Sequence, residues 1–76
     1  MRYTLGIDIG GTFTDLIMVS DAGGVTVHKT LSTPRDPSQA FLNGLRELAE
    51  INNLPFRRFI RDIDAIVHGT TVSTNA

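Results

Sequence analysis

Tyr3-Thr4-Leu5-Gly6-Ile7-Asp8-Ile9-Gly10-Gly11-Thr12-Phe13-Thr14-Asp15-Leu16-Ile17-Met18-Val19-Ser20 is the stretch on which the fold turns. Tyr3, Leu5, Ile7 and Ile9 alternate with Thr4, Gly6, Asp8 and Gly10, the period-two pattern of a strand with one apolar face. Gly10-Gly11 breaks the run, and a second strand is predicted from Phe13 to Ser20. Its Leu16-Ile17-Met18-Val19 segment is apolar without alternation, as in a central strand buried on both faces. Asp21-Ala22-Gly23-Gly24 reads as a turn whose glycines can take positive φ. Val25, Val27 and the β-branched Thr26 and Thr30 then give a third strand to about Leu31. Three short strands joined by two tight turns predict an antiparallel meander.

Beyond Leu31 the period changes. Ser32-Thr33-Pro34-Arg35 is a loop, and Asp36-Pro37-Ser38-Gln39 reads as a helix start, with Asp36 as cap, Pro37 at the first helical position and Gln39 completing a capping box. Phe41, Leu45 and Leu48, flanked by Leu42 and Ala49, form an apolar stripe at helical spacing. Asn52-Asn53 and Pro55 end the helix, and Phe56 to Ile60 suffices for one further turn. Ala65-Ile66-Val67-His68 is a short apolar strand, broken by Gly69-Thr70-Thr71 before a helix expected near Val72. The order is β-β-β-α-β-(α), an α/β unit without repeat or linker.

Composition narrows the function. The 76 residues are 41% apolar and 20% charged, a globular rather than a disordered balance. Seven Lys and Arg against eight Asp and Glu leave a net charge of −1, which gives no long-range attraction to nucleic acid or anionic membrane. The absence of cysteine excludes disulfides, zinc-thiolate sites and thiol nucleophiles. The longest apolar run falls far short of the ~20 residues of a membrane span, and the start lacks a signal-peptide layout. A cytoplasmic protein with neither nucleic-acid nor membrane partners is the expectation. The chain stops at Thr74-Asn75-Ala76 in mid-pattern, so residues 1–76 are expected to be the N-terminal phosphate-binding subdomain of a longer protein.

Two loops could carry chemistry. Asp8-Ile9-Gly10-Gly11-Thr12-Phe13-Thr14-Asp15 and His68-Gly69-Thr70-Thr71-Val72-Ser73-Thr74-Asn75 each follow an apolar strand and are built of glycine and threonine. Glycine lets backbone N–H groups approach an anion closely, and threonine hydroxyls add donors. The second loop also opens a predicted helix, whose first N–H groups favour an anion. A carboxylate beside a phosphate would repel it unless a cation intervened, so Asp8 makes sense as a Mg²⁺ partner through water. Asp15 could do the same, act as a general base or anchor the loop.

Taken singly, each feature has an ordinary alternative. Gly10-Gly11 can be a plain hairpin turn, Gly69-Thr70-Thr71 a helix cap, and Asp8 and Asp15 turn or cap residues. His68 can be a satisfied strand-end residue, Asp62 and Asp64 a solvated pair, and Arg57, Arg58 and Arg61 an exposed face. What rises above these readings is the presence of both Gly/Thr loops in one short chain. Dinucleotide-binding, P-loop and hydrolase-serine motifs are all absent, and the two histidines show no metal-ligand spacing.

Gly6-Ile7-Asp8-Ile9-Gly10-Gly11-Thr12-Phe13-Thr14-Asp15 resembles the first phosphate motif of the actin, sugar-kinase and heat-shock-ATPase superfamily. More narrowly, it resembles the hydantoinase/oxoprolinase family, which includes N-methylhydantoinase, 5-oxoprolinase and the β subunits of acetone and acetophenone carboxylases. Val27-His28-Lys29-Thr30 with Ser32-Thr33-Pro34, the Gly44-Leu45 helix, and Ile66 through Ala76 also match, so the likeness covers nearly the whole chain. Phe13 stands where sugar kinases of the repressor–kinase group carry lysine, which counts against them.

The resemblance implies the ribonuclease-H-like ATPase fold, with this chain as its small N-terminal subdomain. It implies ATP and Mg²⁺ as cofactors and phosphorylation of the oxygen of a cyclic amide or similar carbonyl. Asp8 would be the magnesium-side carboxylate, with Asp15 a catalytic candidate. Gly10, Gly11, Thr12, Phe13 and Thr14 would line the phosphates, and Gly69, Thr70, Thr71, Thr74 and Asn75 would border the same cleft or the substrate. The implied partners are the remainder of its own chain, carrying a second ATPase subdomain, a small cyclic amide or ketone substrate, and room for a second subunit. Positioning phosphate and metal needs two facing walls, so the 76 residues alone are expected to be inactive. A sugar- or acetate-kinase-like phosphotransferase and a non-catalytic binding module are the alternatives.

Overall fold

The computed structural model describes residues 1–69. The elements are β1 (Tyr3–Ile9), β2 (Phe13–Ser20), β3 (Val25–Leu31), α1 (Pro37–Ile51), α2 (Phe56–Arg61) and β4 (Ile63–Gly69). Thr70, Thr71, Thr74, Asn75 and the helix expected near Val72 lie outside the described residues. The sheet order is β3-β2-β1-β4. β1 pairs antiparallel with β2, and β2 with β3, while β4 returns through the two helices to lie parallel to β1. The sheet is therefore mixed, with β1 paired on both sides.

Both helices pack on one face. There Tyr3, Leu5 and Ile7 of β1 and Leu16 and Met18 of β2 meet Leu45, Leu48 and Ala49 of α1 and Phe59 of α2. Phe59 is fully buried and meets the Tyr3 ring edge-on at 5.4 Å. The segment Phe56–Ile60, read from sequence as an isolated turn, thus supplies a core anchor. The buried stripe of α1 also differs from the expected one: Ala40 and Gly44 are buried, whereas Leu42 is exposed. A Cβ on Gly44 would lie 2.7 Å from a Leu16 methyl, so any larger residue there requires the buried Leu16 side chain to shift.

Three further expectations are corrected. β2 is not buried on both faces: Leu16 and Met18 are enclosed, but Ile17 and Val19 are 41% and 38% exposed, since no described helix covers their side of the sheet. The capping box does not form. Asp36 makes no side-chain cap bond; instead, Thr33 Oγ1 accepts the Ala40 N–H at 2.9 Å and donates to the Asp36 carbonyl at 2.6 Å, while Gln39 turns to Asn43. Finally, of the glycines in the second turn, only Gly23 has positive φ, at 96°. The far end of α1 closes as Asn52-Asn53 foretold. Asn53 takes φ 56°, its N–H bonds to the Glu50 carbonyl, and the Leu54 N–H reaches back to the Ala49 carbonyl at 2.8 Å.

Two measurements test this packing. Gly44→Ala should lose about 1–3 kcal/mol in urea denaturation despite alanine's better helix propensity, because overpacking against Leu16 outweighs the propensity gain of about 1 kcal/mol. In a Leu16→Ala background the same change should become neutral or stabilising. Arg2, before β1, bonds Asp64 of β4 and holds the Asp64 carboxyl below the usual carboxylate range; both groups are exposed. A depressed folded-state carboxyl stabilises above its unfolded value, and that contribution is lost as pH falls through the folded one. The melting-temperature advantage of the wild type over Asp64→Asn should therefore be small at neutral pH, because of solvent screening, and vanish in acid.

Candidate functional site

The side chains of Asp8 and Asp15 reach the sheet face on which no described helix packs. Antiparallel register sets the two aspartates directly opposite one another, and the parallel register sets Gly69 beside Asp8. Opposed residues on one face have Cβ atoms within about 4.5–5.5 Å, where like charges repel. On the next strand Lys29 is the register partner of Asp15, and its Nζ lies 3.2 Å from Asp15 Oδ1. The same ammonium sits 5.3 Å from the centre of the Phe13 ring. Among the described residues Asp8 has no such neighbour: its Oδ1 is shielded from solvent without a hydrogen-bond partner. Gly6, Asp8, Asp15, Ile17, Val27, Val67 and Gly69 line an open depression of about 300 Å³ here.

The loop Gly10-Gly11-Thr12 closes this end of the β1–β2 pair. Gly10 donates to the Phe13 carbonyl at 3.0 Å, and a Cβ on Gly10 would come 2.9 Å from that same oxygen. Space, rather than positive φ, is what requires glycine here. A Cβ on Gly11 would meet nothing within 4 Å, so that side of the loop is open. Among the described residues, neither the Gly11 nor the Thr12 N–H has a hydrogen-bond partner, and both residues are exposed. These are two donors without a partner among the described residues, in the loop that begins two residues after Asp8.

Ser32 holds the loop in place. Its N–H bonds the Thr12 carbonyl at 2.8 Å and its hydroxyl donates to the Gly10 carbonyl at 2.7 Å. With that proton committed, the 2.9 Å contact between Thr14 Oγ1 and Ser32 Oγ has Thr14 as donor. Thr14 is fully buried on the helix side. Its hydroxyl, expected from sequence to line phosphate, is turned into the protein and supports the loop through Ser32. Phe13, half exposed, presents its ring to Lys29 rather than to the loop.

Sequence reading named Asp8, Asp15 and the glycines, which the structure places at one strand end, but not Ser32 and Lys29, which bond to the loop and to Asp15. The signal was present in the segment Val27-His28-Lys29-Thr30-Leu31-Ser32-Thr33, each polar member of which has a distinct place in the structure. His28 bonds Glu47 of α1 at 2.6 Å, Lys29 pairs with Asp15, Thr30 is buried, Ser32 clamps the loop and Thr33 caps α1. His68 is exposed on the helix side of β4, across the sheet from the aspartates. Among the described residues no three of His, Cys, Asp and Glu gather at metal-binding distances. Asp8 with its unpartnered oxygen still fits the sparse protein share of a Mg²⁺ site, in which one or two carboxylates are completed by water and phosphate. No described helix is long and apolar enough to cross a membrane.

The described part of the chain is thus a small α/β unit with a donor-bearing glycine loop and a carboxylate pair at one end of its sheet. It belongs to the hydantoinase/oxoprolinase family: residues 4–76 match that family's N-terminal region. The chain is 44% identical over 75 residues to the alpha subunit of the caprolactamase of Pseudomonas jessenii, covering 99% of this chain and 11% of that protein. It is 37% identical over 76 residues to an uncharacterized protein of Methanocaldococcus jannaschii, covering 99% of this chain and 10% of the relative. It is 36% identical over 72 residues to the gamma subunit of the acetophenone carboxylase of Aromatoleum aromaticum, covering 95% and 10%. This last match is to a gamma subunit, where the resemblance had named β subunits. The chain spans about a tenth of the length of these relatives.

The two loop glycines should separate cleanly on mutation. Gly10→Ala pushes a methyl into a backbone carbonyl and should lower stability by about 1–3 kcal/mol, with amide-shift changes spreading through Ser32 and Thr14. Gly11→Ala, with open space and no positive φ, should change stability by less than about 0.5 kcal/mol.

Proposed function

We propose that this chain is the N-terminal part of an ATP-dependent hydrolase acting on cyclic amides of the hydantoin, 5-oxoproline or lactam type, built on a ribonuclease-H-like ATPase fold. The observation that carries the proposal is the pairing of two free loop N–H groups, Gly11 and Thr12, with the unpartnered oxygen of Asp8 at the same strand end. The N–H groups would take terminal phosphate oxygens, and Asp8 would hold a water of the accompanying Mg²⁺. ATP would phosphorylate the amide oxygen and so make the carbonyl carbon a better electrophile. Water would add there, the ring C–N bond would break with the nitrogen leaving as the amine, and a second water would release phosphate from the resulting acyl phosphate. Ser32 and Thr14 would keep the donors aimed without touching ligand, and Thr70, Thr71, Thr74 and Asn75 would extend the same border with Gly69.

The similarity to a caprolactamase subunit, whose name denotes a cyclic-amide substrate, favours the hydrolase reading. The similarity to an acetophenone carboxylase subunit supports a second one, in which the activated carbonyl is that of a ketone and carboxylation follows. Family membership favours both over a sugar-kinase-like phosphotransferase or a non-catalytic binding module. The remainder of a longer chain, and a further subunit, would supply the opposite wall of the cleft.

Titration with Mg-ADP, followed by backbone amide shifts, should move residues 8–15 first. Perturbations that avoid them would sink the phosphate assignment. Asp8→Asn should weaken magnesium-dependent ADP binding by about 10–100-fold, the usual cost of losing an outer-shell metal partner, and leave magnesium-free ADP binding nearly unchanged. The 76 residues alone should turn over neither ATP nor a lactam, and robust turnover would refute the need for a second wall.

A further inference from the structure

Two carboxylates face each other across β1 and β2, yet their surroundings are unequal. Asp15 is paired with Lys29 at 3.2 Å, and Asp8 keeps an oxygen with no partner among the described residues. The Lys29–Asp15 side chains are 59% and 51% exposed, so the pair adds little to stability and its placement calls for another reason. Lys29 is also held from a second direction, its ammonium resting over the Phe13 ring at 5.3 Å. Phe13 is the first residue after the glycine loop, which fixes the cation at the loop end of the face.

We propose that Lys29 is a positioning residue that occupies Asp15 and thereby leaves Asp8 as the one carboxylate free to face a divalent cation. This inference rests on the cation-side reading of Asp8 given above. Without Lys29, two opposed carboxylates would relieve their repulsion by chelating a metal jointly. Such a chelate would hold the ion between the strands before nucleotide arrived, displaced from the donors of Gly11 and Thr12. With Lys29 in place a single carboxylate binds the ion weakly, so metal and polyphosphate are taken up together at the loop.

The test uses Mn²⁺ alone, without nucleotide, and reads paramagnetic broadening of amide and carboxyl signals. Wild-type protein should bind Mn²⁺ weakly, with broadening centred on Asp8. Lys29→Met removes the charge but retains the alkyl chain over Phe13; it should tighten Mn²⁺ binding by about three- to tenfold, the effect expected from deleting one nearby positive charge at a solvated site, and broaden Asp15 as strongly as Asp8. Lys29→Arg should behave as wild type, and Lys29→Met combined with Asp15→Asn should return to wild-type affinity. Unchanged amide dispersion away from the face would establish that each variant is folded. Broadening at Asp8 alone, with equal affinity in wild type and Lys29→Met, overturns the role of Lys29 while leaving the reading of Asp8 standing. Broadening that avoids Asp8 in every variant overturns that reading and this inference with it.

Discussion

The register between β1 and β2 is the constraint on which the rest of the molecule depends. With Leu5 opposite Met18 and Ile7 opposite Leu16, the apolar residues of both strands fall on the side where the helices pack. The same alignment sets Asp8 opposite Asp15 on the other side. A slip of one residue would exchange the faces, placing carboxylates in the core and leucines in water. The short loop that enforces this register is also the candidate anion site, so the fold and the site share a single cause.

That loop is held by what surrounds it more than by its own conformation. Ser32 reaches across from the end of β3 to bind both the Gly10 and Thr12 carbonyls, and buried Thr14 donates to the Ser32 hydroxyl. The Gly10 and Thr12 carbonyls are engaged by Ser32, while the N–H groups of Gly11 and Thr12 have no partner among the described residues. Fixed, uncommitted donors can take an anion without first giving up internal hydrogen bonds, which is the physical basis of preorganised electrostatic sites. The polar chain Thr14–Ser32–Gly10 converts core packing into loop geometry. The two halves of the sheet thereby serve different ends: the helix side supplies stability and the open side presents charge.

Much of this was legible in the sequence. Alternation in Tyr3–Ile9 gave a one-faced strand, the two glycine turns gave the strand boundaries, and Asn52-Asn53 marked the end of α1. The failures have physical explanations. Leu16-Ile17-Met18-Val19 is equally apolar on both sides, so its pattern could not report that only one side is covered. Asp36 and Gln39 had the spacing of a capping box, but Thr33, which lies earlier in the loop, competes successfully for the helix N–H groups. Phe59 sits in a segment too short for a periodicity to develop, and only the packed structure reveals it as a core residue.

The sequence by itself determined the order β1-β2-β3-α1-β4, the place of the glycine loop and the family, because these follow from local periodicity and from residues adjacent in the chain. Tertiary structure alone decided that Lys29 neutralises Asp15 rather than Asp8, and that Ser32 rather than Thr14 grips the loop. It also decided which face of the sheet is closed by helices. These outcomes depend on contacts between residues 14 to 22 positions apart and on the side to which each strand turns its side chains. No local pattern encodes such contacts until the strands are paired.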